Sequence, residues 1–238
     1  MKRFEANDNC SYALGTSLAV ELLMHQGEHA RIVYLSSKAL ENDQLQLLRR
    51  LCKENNVPIK VDDNVINRLS VKENCFAIGV FDKYHHELES KRHIVLYGFD
   101  DYGELGTIMR SAVCFDFKDL VLVSSNIDCF DPRTIRSSMG GFFHLNIRKY
   151  DDFDAYYQDY HDYNIYPIVK NQGSKLTDID FKEPYSLIIP QRSGEVDNLK
   201  GNGILIEHKK GMFDMSLSAI SSILFNYCYH QNAADRNI

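Results

Sequence analysis

The stretch DYGELGTIMRSA, Asp101–Ala112, decides the reading of this chain. A turn-forming opening leads into a short apolar helix that carries one arginine, Arg110. That layout suits a site at a helix start, where unpaired backbone N–H groups point outward, with a cation further along the same helix. Two more stretches belong with it: DPRTIRSSMGGFFHL at Asp131–Leu145 and ILIEHKKGMFDMSLSAISSILF at Ile204–Phe225. In the first of these, Asp131 is placed to cap a helix that opens with Pro132, whose missing N–H would be unpaired there anyway. Gly140 or Gly141 fits the left-handed turn that ends such a helix.

Working outward, strand HIVLYGF precedes the helix Leu105–Phe115, and strand Leu120–Val123 and helix Pro132–Met139 follow it. Then come strand FFHLNI, an acidic helix near Asp152–Tyr160, strands IYPIV, YSLIIP and GILIE, and a long final helix from Ser216 to Tyr229. This alternation predicts an α/β fold with a mainly parallel sheet covered on both faces and a ligand at the carboxyl ends of its strands. Alternation alone predicts an open, flavodoxin-like sheet. Nearer the N-terminus a second block runs from helix GTSLAVELLMHQ through strand Arg31–Ser36, helix Glu41–Asn56, strand Val57–Val61 and helix NVINRLS to strand Cys75–Phe81. Leu45, Leu48, Leu51 and Cys52 recur three or four apart, the spacing of one buried helix face. The block reads as a small α/β domain over residues 1–84, the charged stretch 85–92 as a linker, and 93–238 as the second domain.

Composition narrows the function. Among 238 residues, 44% are apolar and 25% charged, and the formal charge is -6, so the surface is not a general nucleic-acid coat and any RNA contact is local. The six cysteines have no CxxC pairing and read as buried thiols of a reducing, cytoplasmic compartment. No secretory signal or membrane-length apolar run is present, so no membrane partner is expected. His85, His86 and His93 lack a thiol or carboxylate at ligand spacing, and HHELE is not a zinc helix, so no metal is expected. The run DDFDAYYQDYHDYNIY, Asp151–Tyr166, offers aromatic faces for stacking RNA bases, but its aspartates repel phosphate; an amphipathic surface helix entering a strand is the preferred reading.

Taken together and in order, the three opening stretches resemble the SpoU (TrmH-like) branch of the SPOUT RNA methyltransferases. The phrases YLSSKAL, INRLS and CFAIGVF resemble the L30e-like substrate-binding domain that often precedes it. The resemblance implies a trefoil knot in the C-terminal domain, a homodimer built partly on the final helix, S-adenosylmethionine as cofactor, and RNA as substrate. Ribosomal RNA is preferred over transfer RNA by analogy with other L30e-bearing enzymes.

By that resemblance Gly106, Arg110, Ser111 and Ala112 match the first family motif, with Glu104 at its asparagine position. A ribose hydroxyl is a poor nucleophile, and a permanently charged guanidinium can clamp phosphate and stabilise the developing alkoxide. The catalytic assignment is therefore Arg110, with Glu104 and Ser216; the alternative for Arg110 is a structural ion pair at a dimer interface. Cofactor contact is assigned to Ile189, Pro190, Gly194, Ile206, Met215 and Ser218. The second and third motifs depart from the family pattern. Pro190 enters a glycine-rich loop, Arg192 replaces a glutamate, Glu207 replaces a proline, and Asp214, Met215 and Ser216 stand where Ser-Leu-Asn is usual. Two readings stay open: an RNA ribose 2'-O-methyltransferase that tolerates altered loops, and a non-catalytic RNA-binding or scaffold protein.

Overall fold

The structure, a computed structural model, describes residues 4–70, 74–192, 195, 196, 198–208 and 215–235. In chain order the elements are β1 (Cys10–Leu14), α1 (Thr16–His25), β2 (Ala30–Leu35), α2 (Asp43–Glu54), β3 (Ile59–Val61), α3 (Asp63–Leu69) and β4 (Ala77–Asp82). They continue with β5 (Arg92–Tyr97), α4 (Tyr102–Cys114), β6 (Asp119–Val123), α5 (Pro132–Ser137), β7 (Asn146–Tyr150), α6 (Phe153–Asp159) and β8 (Asn164–Pro167). The last are β9 (Ser174–Lys175), β10 (Tyr185–Pro190), β11 (Ile204–Leu205) and α7 (Leu217–Asp235). Two compact units result: Met1–Tyr84 with Asp128–His144, and His85–Ile127 with Leu145–Ile238. No helix among the described residues is long and apolar enough to cross a membrane.

The first unit is a four-stranded mixed sheet in the order β1-β4-β2-β3. β1 and β2 both run antiparallel to β4, and β3 runs parallel to β2. Residues alternate along β4, so Ala77 packs with Leu23, Leu45, Leu48 and Leu51, while Ile78 and Val80 pack with Tyr12, Ile66 and Leu69. Asn42 caps α2 through the Leu45 N–H, and Asp62 caps α3 through the Val65 N–H. Helix α5 opens at Pro132 with Asp131 accepting from the Arg133 N–H at 2.8 Å, as the capping pattern predicts. The strand expected at FFHLNI is displaced. Residues 141–144 form a 3-10 turn in which Phe142 and Phe143 are both buried, and the strand begins at Asn146. Two adjacent buried side chains do not fit the strict two-sided alternation of a strand with one wet face.

The second unit holds a five-stranded, wholly parallel sheet in the order β7-β6-β5-β10-β8. Every residue of β6 and β10 is buried, as strands covered on both faces require. The last long strand, β10, lies inside the sheet and the earlier β8 lies at its edge, which departs from the open flavodoxin-like order. The Asp- and Tyr-rich run is α6 entering β8, and its Tyr156 is fully buried. Tyr156 Oη lies 2.9 Å from His93 Nδ1 and 2.6 Å from Ser186 Oγ, while Tyr163 stacks on the His93 ring. Asp119 accepts from the Glu89 and Ser90 N–H groups and from Asn146 Nδ2. These groups stand at the amino ends of the strands; His93 Nε2, 3.7 Å from Asp119 Oδ2, is left without a hydrogen-bond partner among the described residues. Burial holds the His93 imidazole below its ordinary pKa, against the opposing pull of Asp119.

Candidate functional site

In the second unit β5 lies between β6 and β10, the strands reached by chain connections leaving in opposite senses. The crevice outside the carboxyl ends of such strands is the binding position of open α/β sheets. Here it is bounded by the turn after β5, the loop after β10 and the start of α4.

Asp101 caps α4 by accepting from the Glu104 N–H at 2.7 Å, which fixes the entry into the helix. Glu104 then reaches the start of α7, where its Oε1 accepts the Ser218 N–H at 3.3 Å. A carboxylate at a helix N-terminus also meets the positive end of the helix dipole. Ser216 completes that cap, with its Oγ accepting from the Ala219 N–H at 3.3 Å and its carbonyl from the Ile220 N–H. Further along, Ser111 Oγ lies 2.9 Å from Ser222 Oγ, and Phe117 packs on Phe225 with ring centroids 5.0 Å apart. Ser221, Leu224, Phe225 and Cys228 recur at the spacing of one helix face and are buried. Burial pushes the Cys228 thiol up to about 12, so it is no nucleophile. The first and third sequence motifs, over a hundred residues apart, therefore meet at Glu104 and Ser218.

The loop after β10 supplies the other wall. Ile189 and Pro190 are buried opposite Leu96 and Tyr97 of β5, and the Gln191 N–H donates to the Tyr97 carbonyl at 2.8 Å. Donors alternate along a strand, so the nitrogen of Pro190 faces the β8 side. There Ile168 N–H donates to the Ile188 carbonyl at 2.9 Å, and β8 pairing ends at Ile188. Pro190 thus stands where the β10–β8 ladder ends, since it has no N–H to extend it. Gly98 has φ +71, and a Cβ there would lie 3.2 Å from Glu195 Oε2. The same carboxylate oxygen accepts the Arg192 N–H at 3.2 Å. The Gln191 Oε1 is buried without a hydrogen-bond partner among the described residues. An orphaned buried acceptor is costly unless a ligand supplies a donor.

Of the sequence-assigned residues, Glu104, Ser216 and Ser218 come together, and Ile189 and Pro190 lie at the crevice floor. Met215 precedes α7 half-buried, and Ile206 follows β11 half-buried, its carbonyl 3.1 Å from His208 Nδ1. Gly194 lies outside the described residues. Arg110 is exposed on α4 and pairs with no carboxylate among the described residues. The two charge substitutions have exposed partners: Arg192 Nη2 lies 3.9 Å from Asp100, and Glu207 3.2 Å from Lys175 across the β9–β11 pair. Such exposed pairs contribute little. Gln191 and Glu195 were not assigned from sequence. A glutamate three places beyond the reversed position was the available signal for Glu195, and nothing in the sequence marks the burial of Gln191 Oε1.

A family profile described as the SpoU rRNA Methylase family matches residues 91–190. A curated relative, the 23S rRNA (guanosine(2553)-2'-O)-methyltransferase RlmP of Bacillus subtilis (strain 168), is 25% identical over 114 residues. That match covers 45% of this chain and 44% of the relative, so it spans less than half of that protein. Among solved structures, the SpoU methyltransferase AviRb from Streptomyces viridochromogenes, in complex with AdoMet, aligns over 94% of this chain and 91% of its own. Its TM-score is 0.79 at 14% identity. An AdoMet-bound rRNA methyltransferase from Sinorhizobium meliloti aligns over 93% and 87%, with TM-score 0.74 and 17% identity. At these identities the likeness is one of fold: a small α/β unit and a second unit whose five-stranded sheet is parallel.

Proposed function

We propose that this chain, whose residues 91–190 match the SpoU rRNA Methylase family profile, is an RNA ribose 2'-O-methyltransferase acting on ribosomal RNA as a cytoplasmic homodimer. The observation that carries the reading is the crevice at the carboxyl ends of β5 and β10. Three features accompany it: the orphaned Gln191 Oε1, the Glu195 carboxylate held against Gly98, and the α7 start held by Glu104 of the helix after β5. This set fits S-adenosylmethionine. Gln191 offers an acceptor to an amine or hydroxyl, Glu195 a carboxylate to a cation, and Ile206 and Met215 apolar surface, with the buried Ile189 behind them. Bound there, the cofactor supplies an electrophilic methyl group.

The remaining chemistry belongs to the chain. Arg110 is free of ion pairs among the described residues, so its guanidinium is available to a phosphate beside the target ribose and to negative charge developing on the 2'-oxygen. Glu104 and Ser216 act as positioning residues, since they hold the start of α7. The balanced products are a ribose 2'-O-methyl ether, S-adenosylhomocysteine and one proton. Ile223 and Tyr229, exposed apolar residues of α7, suit a dimer contact through the final helix. The first unit serves as the RNA-holding, L30e-like part.

A second reading, a non-catalytic RNA-binding scaffold, is favoured by Arg192, whose guanidinium turns to Asp100 at a position where the family usually has a carboxylate. Transfer of a labelled methyl group to ribosomal RNA separates the two. The methyltransferase reading expects incorporation at ribose and a fall of about 10²–10³-fold in Arg110→Ala. Incorporation unchanged in that variant removes Arg110 from the chemistry, and RNA binding with no incorporation supports the scaffold.

A further inference from the structure

Within the first unit, Glu21 and His25 stand one turn apart on α1, and His144 reaches them from the 3-10 turn at residues 141–144. The Nε2 atoms of both histidines are aimed at one oxygen, Glu21 Oε2, at 2.9 Å for His144 and 3.6 Å for His25. The two imidazole rings lie 3.8 Å apart, and one ligand atom from each of the three residues falls within 4.8 Å of the others. We propose that Glu21, His25 and His144 form a binding site for a divalent transition-metal ion of the zinc class, which clasps α1 to the segment that follows α5.

The donor set is the argument. Two imidazoles and one carboxylate are the ligands that zinc and its neighbours take, in preference to the all-oxygen cages of calcium or magnesium. Tetrahedral bonds of about 2.0–2.1 Å separate ligand atoms by roughly 3.3 Å. The observed 2.9 and 3.6 Å bracket that edge, so small side-chain rotations suffice. A fourth position is left open to solvent, because the three side chains are each about one-third exposed.

The cluster is also held in place without an ion. Gln26 Nε2, at the end of α1, donates to the Phe143 carbonyl at 3.2 Å, fixing the residue beside His144. Gly140, at φ +96, leaves room for Glu21, since a Cβ there would lie 2.6 Å from Glu21 Cγ. A simple ion pair does not need two rings on one carboxylate oxygen. The sequence gives no spacing signal for this trio, because His144 lies 123 residues from Glu21.

The test uses the full chain freed of metal by chelation and dialysis. Zinc chloride is titrated calorimetrically, and cobalt chloride is followed by its visible absorption, which intensifies on tetrahedral binding. The expected result is one site per chain of micromolar or better affinity, with a rise in unfolding temperature on adding zinc. His144→Gln keeps a donor for Glu21 but removes the imidazole, and His25→Ala removes the other ring. Each is expected to weaken binding at least tenfold and to abolish the cobalt spectrum while unfolding as the native chain does in chelator. One-site binding of unchanged affinity in the double variant would assign the ion to other residues and overturn the proposal. Absence of binding at millimolar zinc would do the same.

Discussion

Replacing Phe225 by alanine tests the packing that delivers the start of α7 to the site. The ring is fully buried and rests on Phe117 at 5.0 Å between centroids, within a face shared with Ser221, Leu224 and Cys228. Truncating a buried phenylalanine loses its transfer free energy and leaves a cavity, together about 3–5 kcal/mol. The neighbours are ill placed to collapse into the gap, because α4 and α7 are also tied through Ser111 and Ser222. For a chain of this length each kcal/mol lowers the unfolding temperature by about 2–4 °C, so a drop of roughly 6–20 °C is expected. Scanning calorimetry with circular dichroism reads it, and Phe225→Leu, which refills most of the volume, sets the scale at about 1–1.5 kcal/mol. S-adenosylmethionine affinity falls with it, since Ser216 and Ser218 are positioned by the same helix. A shift below 2 °C in Phe225→Ala, with cofactor binding intact, would refute the docking of α7 on α4.

Two other perturbations follow from particular contacts. Gly98→Ala forces a side chain into φ +71 and presses on Glu195, so stability falls by about 1–2 kcal/mol and cofactor affinity, measured calorimetrically, falls with it; unchanged affinity would take Glu195 out of the site. Burial lowers the His93 pKa, so between that value and about 6.5 the unfolded chain binds more protons than the native one. The contribution of His93 to native stability therefore rises with pH through this window, is constant above it, and declines as pH falls below about 6.5. Denaturant titrations at stepped pH should show a shallower acid slope in His93→Gln than in the native chain, and equal slopes would mean His93 is not held neutral.

Much of the second unit was legible because its strands are continuous apolar runs and its helices carry caps. LVLV, YSLIIP and the Asp131–Pro132 start were all read correctly as local features. What sequence could not supply was pairing at a distance. Strand β1 was missed because CSYAL is short, and only its antiparallel partner β4, far along the chain, makes it a strand. GILIE reduces to the two residues of β11 because β9, its partner, offers only two. Residues 128–144 pack with the N-terminal elements through Phe81, Tyr84 and Phe130, an aromatic cluster no periodicity announces. Arg110, Glu104 and Ser218 are marked by the resemblance, whereas the meeting of Glu104 with Ser218 at the α7 start is a property of the fold. Gln191 and Glu195 were passed over because their relevance lies in burial and in proximity to Gly98, both tertiary properties.

The most direct test of the central claim is calorimetric titration of the purified chain with S-adenosylmethionine and with S-adenosylhomocysteine, alongside Gln191→Ala. The account predicts micromolar binding at one site per chain, weakened about tenfold or more in the variant, as expected when a buried hydrogen bond to a ligand is lost. No heat, together with no thermal shift at millimolar cofactor, would contradict it, showing that the crevice at β5 and β10 no longer holds a methyl donor.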